Sequence, residues 1–320
     1  MLRKLRPVLM ACLTAFAGAV FAQAAGPMKI VIAFPPGGPV DFVARILAEG
    51  LGKELGQAVL VDNRAGANGG ISAQVVVKSA PDGTTLWFSS AGAVVMNPAL
   101  YDSLTYDMQR DFTPVSLVVN NVEVLVVSPA NPATSAADLV AQSKRKPDPT
   151  PIASSGIGSM PHLAMELLAD SSGANLMHVP YKGAAPAITD VMGGQVVGFF
   201  GDIPGLIGFI KGGKLKALGI AAPARHPLLP DVPTLDEQGI RGVDSNNWYA
   251  LFAPAKTPPA RIEQINAAVR RVLTSEPYRQ RLVDSGAEPM PSSPEQLGAL
   301  VKADTAKWGR IIRDKKIRAE

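Results

Sequence analysis

Short apolar segments alternate along this chain with segments of helical periodicity, and glycine-rich loops separate the two kinds. Residues 29–34, Lys-Ile-Val-Ile-Ala-Phe, are nearly all apolar, as expected for a strand covered on both faces. Apolar residues then recur at helical spacing from Phe42 to Leu51, and Gly56 follows at the predicted end of that helix. This alternation predicts an α/β fold with mostly parallel sheets flanked by helices.

The same alternation continues through most of the chain. Further strands are predicted at residues 59–62, 84–89, 122–127, 151–154, 177–180, 196–200 and 217–221, and helices near 161–169 and 185–192. A mature chain of roughly 295 residues is large for one hydrophobic core, so two lobes are expected. We expect the chain to leave the first lobe near Ser128 and to return near residues 248–254. Residues 25–127 and 250–320 then form a discontinuous first lobe, and residues 128–249 form the second.

Three loops share one construction, in which a predicted strand ends, glycine and serine follow, and a helix begins. They span residues 35–41, 154–161 and 181–186. Glycine lets the backbone turn with its N–H groups inward, and the first N–H groups of a helix have no partner within the helix. Together with the helix dipole, such a loop makes a neutral anion site. Because these loops gather at the carboxyl edge of the strands, we expect a cleft that holds an anion from two lobes.

The first 24 residues have the pattern of a secretory signal peptide. A basic segment at residues 3–6 precedes an apolar run at residues 8–21, and Ala22-Gln23-Ala24 supplies the small-x-small cleavage pattern. The run has 14 residues, fewer than the ~20 that cross a bilayer as a helix. A lipoprotein signal at Cys12 is the alternative, but it would leave an apolar segment of only about four residues. We therefore expect cleavage after Ala24 and export to the periplasm.

Composition excludes several classes of site in the mature protein. Cys12 is the one cysteine and lies in the predicted signal, so no disulfide, thiolate nucleophile or cysteine metal site is expected. The chain has 31 Lys+Arg and 27 Asp+Glu; loss of the three basic residues of segment 3–6 leaves 28 against 27. No basic patch with interleaved aromatic residues occurs, and a nucleic-acid partner is not expected.

Catalytic motifs are not evident in the sequence. It contains no G-x-S-x-G, H-E-x-x-H or P-loop motif, and Gly156-Ile157-Gly158 is only half of a dinucleotide fingerprint. His162 and Glu166 share a helix face at a metal-ligand spacing, but a zinc site would also need His178. We expect structural histidines, no metal and no cofactor. An exported α/β hydrolase is the alternative from another class, because a Ser-His-Asp set requires no sequence motif.

Several segments form a recognisable series along the chain. They are Phe34-Pro-Pro-Gly-Gly-Pro-Val-Asp41, Asn63-Arg-Ala-Gly-Ala-Asn-Gly-Gly70, Pro81-Asp-Gly83, Ser155-Gly156 with His162-Leu163 and Glu166, Val179-Pro-Tyr-Lys-Gly183 with Pro186-Ala187, Gly193-Gly-Gln-Val196 and Leu229-Pro-Asp-Val-Pro-Thr-Leu235. In this order they resemble the solute receptors of tripartite tricarboxylate transporters, the Bug family. The resemblance covers nearly the whole mature chain.

The resemblance implies a non-enzymatic Venus flytrap of the type II periplasmic binding protein class, a monomer that serves membrane permease subunits. It also implies that backbone N–H groups and ordered waters hold the carboxylate of a small ligand. The predicted ligand-binding residues are Phe34, Pro36, Gly37, Gly38, Asp41, Ser90, Ala91, Ser154, Ser155, Gly156, His162, Ala184, Ala185 and Asp202. Val40 departs from the Thr or Ser expected there, which would leave that corner of the pocket more apolar.

Charged side chains near the predicted cleft bear on the class of ligand. We expect Asp41 to cap the first helix, and Arg64 to tie a loop rather than to bind the ligand; Lys182 has the same two interpretations. An ionised Asp202 in the pocket would favour a ligand with an amino or ring N–H group and repel a dicarboxylate unless water lay between them. Dicarboxylates, amino acids and aromatic carboxylates all stay open as ligands. A receptor that reports to a membrane sensor is an alternative to one that serves uptake.

Overall fold

The computed structural model describes residues 26–318, so the predicted signal peptide lies outside the described residues. The strands are β1 Met28–Ile32, β2 Val59–Asn63, β3 Thr85–Ser90, β4 Phe112–Asn121, β5 Glu123–Val127, β6 Thr150–Ser154, β7 Leu176–Pro180, β8 Gly198–Asp202, β9 Lys216–Ile220, β10 Asn247–Pro254 and β11 Glu288–Pro289. The α-helices are α1 Pro39–Leu55, α2 Gly70–Val77, α3 Asn97–Leu100, α4 Met108–Asp111, α5 Ala136–Arg145, α6 Met160–Ser172, α7 Ala184–Met192, α8 Ile203–Lys211, α9 Pro259–Thr274, α10 Glu276–Ser285 and α11 Pro294–Asp314.

Two sheets organise these elements into two lobes, which confirms the predicted α/β class. The first sheet has the order β11-β4-β10-β3-β1-β2 and the second has the order β7-β6-β8-β5-β9. Each sheet is mixed rather than mostly parallel: β1 pairs in parallel with β2 and β3, and β6 with β7 and β8, but β10 and β5 run antiparallel to their neighbours. These antiparallel strands are the ones at which the chain passes between the lobes.

The passage between the lobes occurs earlier than the sequence indicated. Strand β4 ends at Asn121 in the first sheet, and β5 begins two residues later in the second sheet, where it pairs with β8 and β9. Residues 123–127 therefore do not belong with the first sheet, to which the prediction assigned them. The return lies at Asn247, which pairs with Asn121, so residues 247–249 belong to the first sheet and not the second lobe.

Two strands differ from the prediction in a way that affects the site. Strand β4 was not predicted, because its sequence from Phe112 to Asn121 mixes Pro, Ser, Thr and Asn with apolar residues. Strand β8 lies two residues later than predicted, because Gly201 and Asp202 continue the ladder opposite Val124 and Glu123. Asp202 is thus the last residue of a buried strand and not part of the loop after it.

Both faces of the first sheet are packed. On one face the rings of Trp87 and Phe112 stack with their centroids 4.8 Å apart, and helices α1 and α9 cover the other face. Gly50 of α1 allows the close approach of α9, since a Cβ there would lie 2.4 Å from Val272. Each large apolar side chain buried in this way contributes about 1.5–3 kcal/mol. Among residues 26–318, no helix is both long enough and apolar enough to cross a membrane.

Candidate ligand cleft

A narrow cavity lies between the two lobes; the empty space of this cavity and its mouth, which opens to solvent, is about 400 Å³. Seven of the predicted site residues line it: Phe34, Gly38, Ser90, Ser155, Ala184, Ala185 and Asp202. Pro35, Pro39, Val40, Ser159, Met160, Pro161 and Asn247 complete the lining. The wall therefore combines residues from the three loops that the sequence singled out.

The first contribution comes from the start of helix α1. Gly38 is the N-cap in an extended conformation, and Pro39 occupies the first helical position, where its fixed φ suits a helix. Gly38, Pro39 and Val40 line the cavity, so the first turn of α1 faces it. Asp41 does not cap this helix, contrary to prediction, because Gly38 is the N-cap and Asp41 is the third residue of the helix. Its side chain instead accepts a hydrogen bond from the Gly37 N–H at 3.1 Å.

The Asp41 carboxylate instead ties the loop to the helix and to the neighbouring strand. It accepts hydrogen bonds from Arg45 Nε and Nη2 at 2.9 and 2.8 Å and from Asn63 Nδ2 at 3.0 Å. Burial alone raises the pKa of this carboxyl, but the hydrogen bonds from Arg45, Asn63 and the Gly37 N–H outweigh it and hold the pKa below its usual value. Asp41 is thus ionised, fully engaged and outside the cavity lining.

Helix α6 brings a second N-terminus to the cavity. Its N-cap Ser159 accepts the His162 N–H, and the Ser159 hydroxyl donates to the Gly156 carbonyl at 2.7 Å. Gly156 has φ +131°, a conformation that side-chain-bearing residues rarely adopt, and Ser155 just before it lines the cavity. Met160 and Ser159 line the same wall.

Helix α7 brings a third N-terminus. Gly183 precedes it with φ +108°, and a Cβ at Gly183 would lie only 2.7 Å from Cδ of Pro35 in the other lobe. Ala184 and Ala185 follow in the first turn and line the cavity. Their small side chains leave the backbone N–H groups of the first turn close to the cavity.

Three helix N-termini therefore meet at one cavity, and helix α8 begins directly after Asp202 in the same wall. Each N-terminus carries about half of a positive charge and N–H groups without a helical partner. No Lys, Arg or His is among the residues that line this cavity. This wall therefore offers an anion backbone groups rather than cationic side chains, while Phe34, Pro35 and Val40 supply apolar surface.

Asp202 is the one acidic side chain in the lining. Its Oδ2 accepts hydrogen bonds from Asn247 Nδ2 at 3.0 Å and from the Tyr249 hydroxyl, both on the strand that returns from the second lobe. Its Oδ1 is buried and has no hydrogen-bond partner. Burial raises the pKa of Asp202 to about 7, although the hydrogen bonds from Tyr249 and Asn247 oppose that rise.

The other predicted site residues lie near the cavity but do not line it. Pro36 and Gly37 are exposed at the loop tip, Ala91 is buried behind Ser90, and Gly156 faces a neighbouring chamber. Ser154 and His162 belong to a buried cluster in the second lobe, described next.

In this cluster the rings of His162 and His178 stack with centroids 3.8 Å apart. His162 Nδ1 accepts the Gly158 N–H, and His178 Nε2 lies 2.6 Å from the Ser154 hydroxyl. Burial, with His162 beside it, lowers the pKa of His178 to about 3, so that this ring is neutral. Among residues 26–318 no group of three His, Cys, Asp or Glu could hold a metal ion.

Direct contacts join the two lobes. Asn68 of the first lobe donates through Nδ2 to the Gly158 carbonyl of the second lobe at 2.8 Å. Pro39 packs against Gly205, where a Cβ would lie 3.0 Å from Cδ of Pro39. The structure therefore shows the two lobes closed on the cavity.

A wider chamber adjoins the cavity past Phe34 and Ser155. It is also lined from both lobes, and Lys182 is its one basic residue. Arg64 lines neither space; its guanidinium pairs with Asp62, as expected for a residue that ties a loop. Lys182 thus flanks the cleft without reaching the inner cavity.

Asn247, Tyr249 and Glu123 were not predicted as part of the site. They lie on the strands at which the chain crosses between the lobes. The pairing of β10 with β4 and of β5 with β8 determines where these residues lie relative to the cavity. The sequence did indicate a crossing near Trp248, which is the one signal that could have pointed to them.

The fold and the closed interlobe cavity define the class of this protein: a two-lobed solute-binding protein of the periplasmic type. The sequence profile of the tripartite tricarboxylate transporter family receptors matches residues 43–317. Protein BugT of Bordetella pertussis is 35% identical over 291 residues, which are 91% of this chain and 89% of that protein. The chain belongs to the family of tripartite tricarboxylate transporter receptors, as the sequence motifs predicted.

Solved structures agree with this assignment. Rpa4515 of R. palustris, solved with adipate, has a TM-score of 0.89 and 31% identity, covering 92% of this chain and 99% of its own. MatC from Rhodopseudomonas palustris, solved with bound malate, has a TM-score of 0.86 and 33% identity, covering 90% of this chain and 99% of its own.

Proposed function

We propose that this chain is an extracytoplasmic receptor that captures a small carboxylated solute in the interlobe cavity and performs no chemistry on it. The observation that carries the proposal is the meeting of the N-termini of α1, α6 and α7 at one cavity that contains no basic side chain. Unpaired N–H groups and helix dipoles stabilise an anion at such a place. The adipate and malate of two structural neighbours support a carboxylate as that anion.

The lining also bears on the shape of the ligand. Phe34, Pro35 and Val40 offer apolar contacts beside the polar helix ends, which suits a short hydrocarbon chain that carries a carboxylate. Val40 has no hydroxyl to contact a polar ligand substituent. A closed form that buries the ligand against both lobes then docks as a monomer on membrane permease subunits.

Export is part of the proposal. The basic, apolar and small-x-small segments of residues 1–24 support cleavage after Ala24 and release to the periplasm. Amino-terminal sequencing of the secreted chain tests this step, and a mature chain that begins elsewhere would contradict it.

One observation favours a hydrolase as the second candidate, namely the 2.6 Å contact between Ser154 and His178. However, Ser154 is completely buried and lines neither the cavity nor the wider chamber. The low pKa of His178 also makes it a weak general base. Turnover of simple esters that is lost in Ser154→Ala would favour the hydrolase over the receptor.

Isothermal titration calorimetry of the mature chain against adipate, malate, benzoate and aspartate tests the receptor. We expect saturable binding of at least one carboxylate at one site per chain, and no binding of the corresponding neutral amide. Absence of binding across a broad carboxylate panel would overturn the proposed function.

A further inference from the structure

Two acidic side chains face each other beneath the cavity. Strands β5 and β8 are antiparallel neighbours, and Glu123 lies directly opposite Asp202 in their ladder. Residues that are directly opposite in an antiparallel pair project from the same face, a few ångströms apart. Glu123 is completely buried and Asp202 is 6% exposed, so both carboxyl groups are largely removed from bulk water.

The hydrogen bonds of this pair are unequal. Asp202 Oδ2 accepts two hydrogen bonds from β10, whereas Asp202 Oδ1 and both carboxyl oxygens of Glu123 have no partner. No ion pair with either group is present in the described part of the chain. Two buried carboxylates side by side without a cation are strongly disfavoured, so the pair holds at least one proton.

The unequal hydrogen bonding decides which member keeps that proton. Burial raises the pKa of Glu123 well above its usual value, and the adjacent Asp202 raises it further, although the nearby Ser245 opposes part of this rise. The donors Tyr249 and Asn247 favour the ionised form of Asp202, and neither donates to Glu123. Glu123 is therefore the neutral member, and Asp202 exchanges its proton near neutral pH.

Other titratable groups around Asp202 do not supply a compensating charge. Tyr249 on β10 stays protonated, because burial and the two acids raise its pKa. His226 lies beside Gly286, as Ile203 does, and its electrostatic partner is Glu288. On α1, the helix facing α8, Asp41 and Arg45 pair with each other.

We propose that a carboxylate ligand binds in this cavity together with a proton on Asp202, whose neutral carboxyl group then donates a hydrogen bond to the ligand carboxylate. The proton comes from solvent; it removes the repulsion between the two carboxylates and converts an acceptor into a donor. A ligand that presents an ammonium group selects the ionised form of Asp202 instead. The inference rests on the proposed function, and it makes Asp202 the residue that selects the ligand class according to pH.

The test is calorimetric titration of the mature receptor with adipate, malate and aspartate, in buffers of different ionisation enthalpy. Between about pH 6.5 and about pH 8.5 the affinity for adipate or malate should fall roughly 20-fold, with uptake of close to one proton at the higher pH. Aspartate differs from malate by an ammonium group in place of a hydroxyl. Its ammonium group pairs with the ionised Asp202, so its affinity should rise over the same range.

Asp202→Asn gives a sharp second readout. Tyr249 and Asn247 both donate to one oxygen of residue 202, so the amide oxygen takes that position and the amide NH2 takes the position of Oδ1. The variant should bind adipate or malate independently of pH, with the affinity of the wild type at the lower pH. Asp284→Asn, at an exposed carboxyl paired with Gln280, is the control and should keep the wild-type proton uptake.

The outcomes separate the two claims. Saturable carboxylate binding with the same affinity at both pH values and no proton uptake overturns this inference and leaves the proposed function intact. No binding of any carboxylate overturns the proposed function as well. A carboxyl ¹³C titration of the ligand-free wild type decides independently of the variants: an Asp202 carboxyl that is fully ionised at pH 6 overturns the inference.

Discussion

Asp41 offers a quantitative test of what holds the first cavity loop in place. Its carboxylate binds the exposed Arg45 and also the Gly37 N–H and Asn63, which connect the loop to β2. The Arg45 side chain is 54% exposed, so that pair contributes about 0–1 kcal/mol to the free energy of unfolding. Hydrogen bonds to a buried charge contribute about 1.5–3 kcal/mol each, before relaxation and solvation of the freed donors. We expect Asp41→Ala to destabilise the protein by about 2–4 kcal/mol and Arg45→Ala by less than about 1 kcal/mol.

Urea denaturation followed by circular dichroism measures both variants. Asp41→Ala should also lower the melting temperature by roughly 5–10 °C. Equal losses in Asp41→Ala and Arg45→Ala would refute the reasoning, because the salt bridge would then dominate. The folded pKa of Asp41 is lowered, so its contribution is complete above the unfolded pKa near 3.8 and is lost as pH falls through the folded value. The stabilities of wild type and Asp41→Ala should therefore converge in that acidic range.

Three further predictions concern the cavity itself. Ala184→Pro removes one backbone N–H of helix α7, and the helix should persist because proline suits the first helical position. The carboxylate affinity measured by calorimetry should then fall roughly 10- to 100-fold. Ala184→Gly keeps this N–H, and its affinity should stay within about threefold of the wild type. Gly183→Ala places a methyl group against Pro35 of the other lobe, so the carboxylate affinity should fall at least about fivefold. Small-angle scattering should show that the ligand-bound variant stays more open than the wild type. An unchanged affinity with a compact shape would contradict the close contact between Gly183 and Pro35. Lys182→Ala should change the affinity for adipate by less than about threefold, because the lysine lines only the outer chamber, and a large loss would move the site there.

Local sequence patterns were sufficient for most of the fold and for the loops of the cavity. The loop at 35–41 was recognisable because an apolar strand, two glycines and a helical period follow one another, and the structure brings Gly38 to the cavity as that pattern requires. The same holds for Ser155 and Ala184. In each case the signal lies within a few residues of the chain.

Long-range register could not be predicted in this way. The pairing of Glu123 with Asp202 joins residues 79 positions apart, and no local pattern encodes which residues face each other. The sequence predicts the crossing near Ser128 because Pro129 follows there, whereas the structure crosses at Val122, where Asn120 and Asn121 stay extended and neither proline nor glycine marks the change. The sequence predicts Asp41 as the N-cap of α1, but Gly38 occupies that position in the structure. Which residue becomes the N-cap depends on the path of the preceding loop.

The central claim is that backbone N–H groups at helix ends hold the ligand carboxylate. A ¹H–¹⁵N titration of the labelled receptor with adipate or malate tests it most directly. The amide protons of Val40, Met160 and Ala184, each in the first turn of a different helix at the cavity, should shift downfield and saturate together. Saturating shifts confined to the outer chamber around Gly66 and Lys182, with these three amides unmoved, would contradict the account.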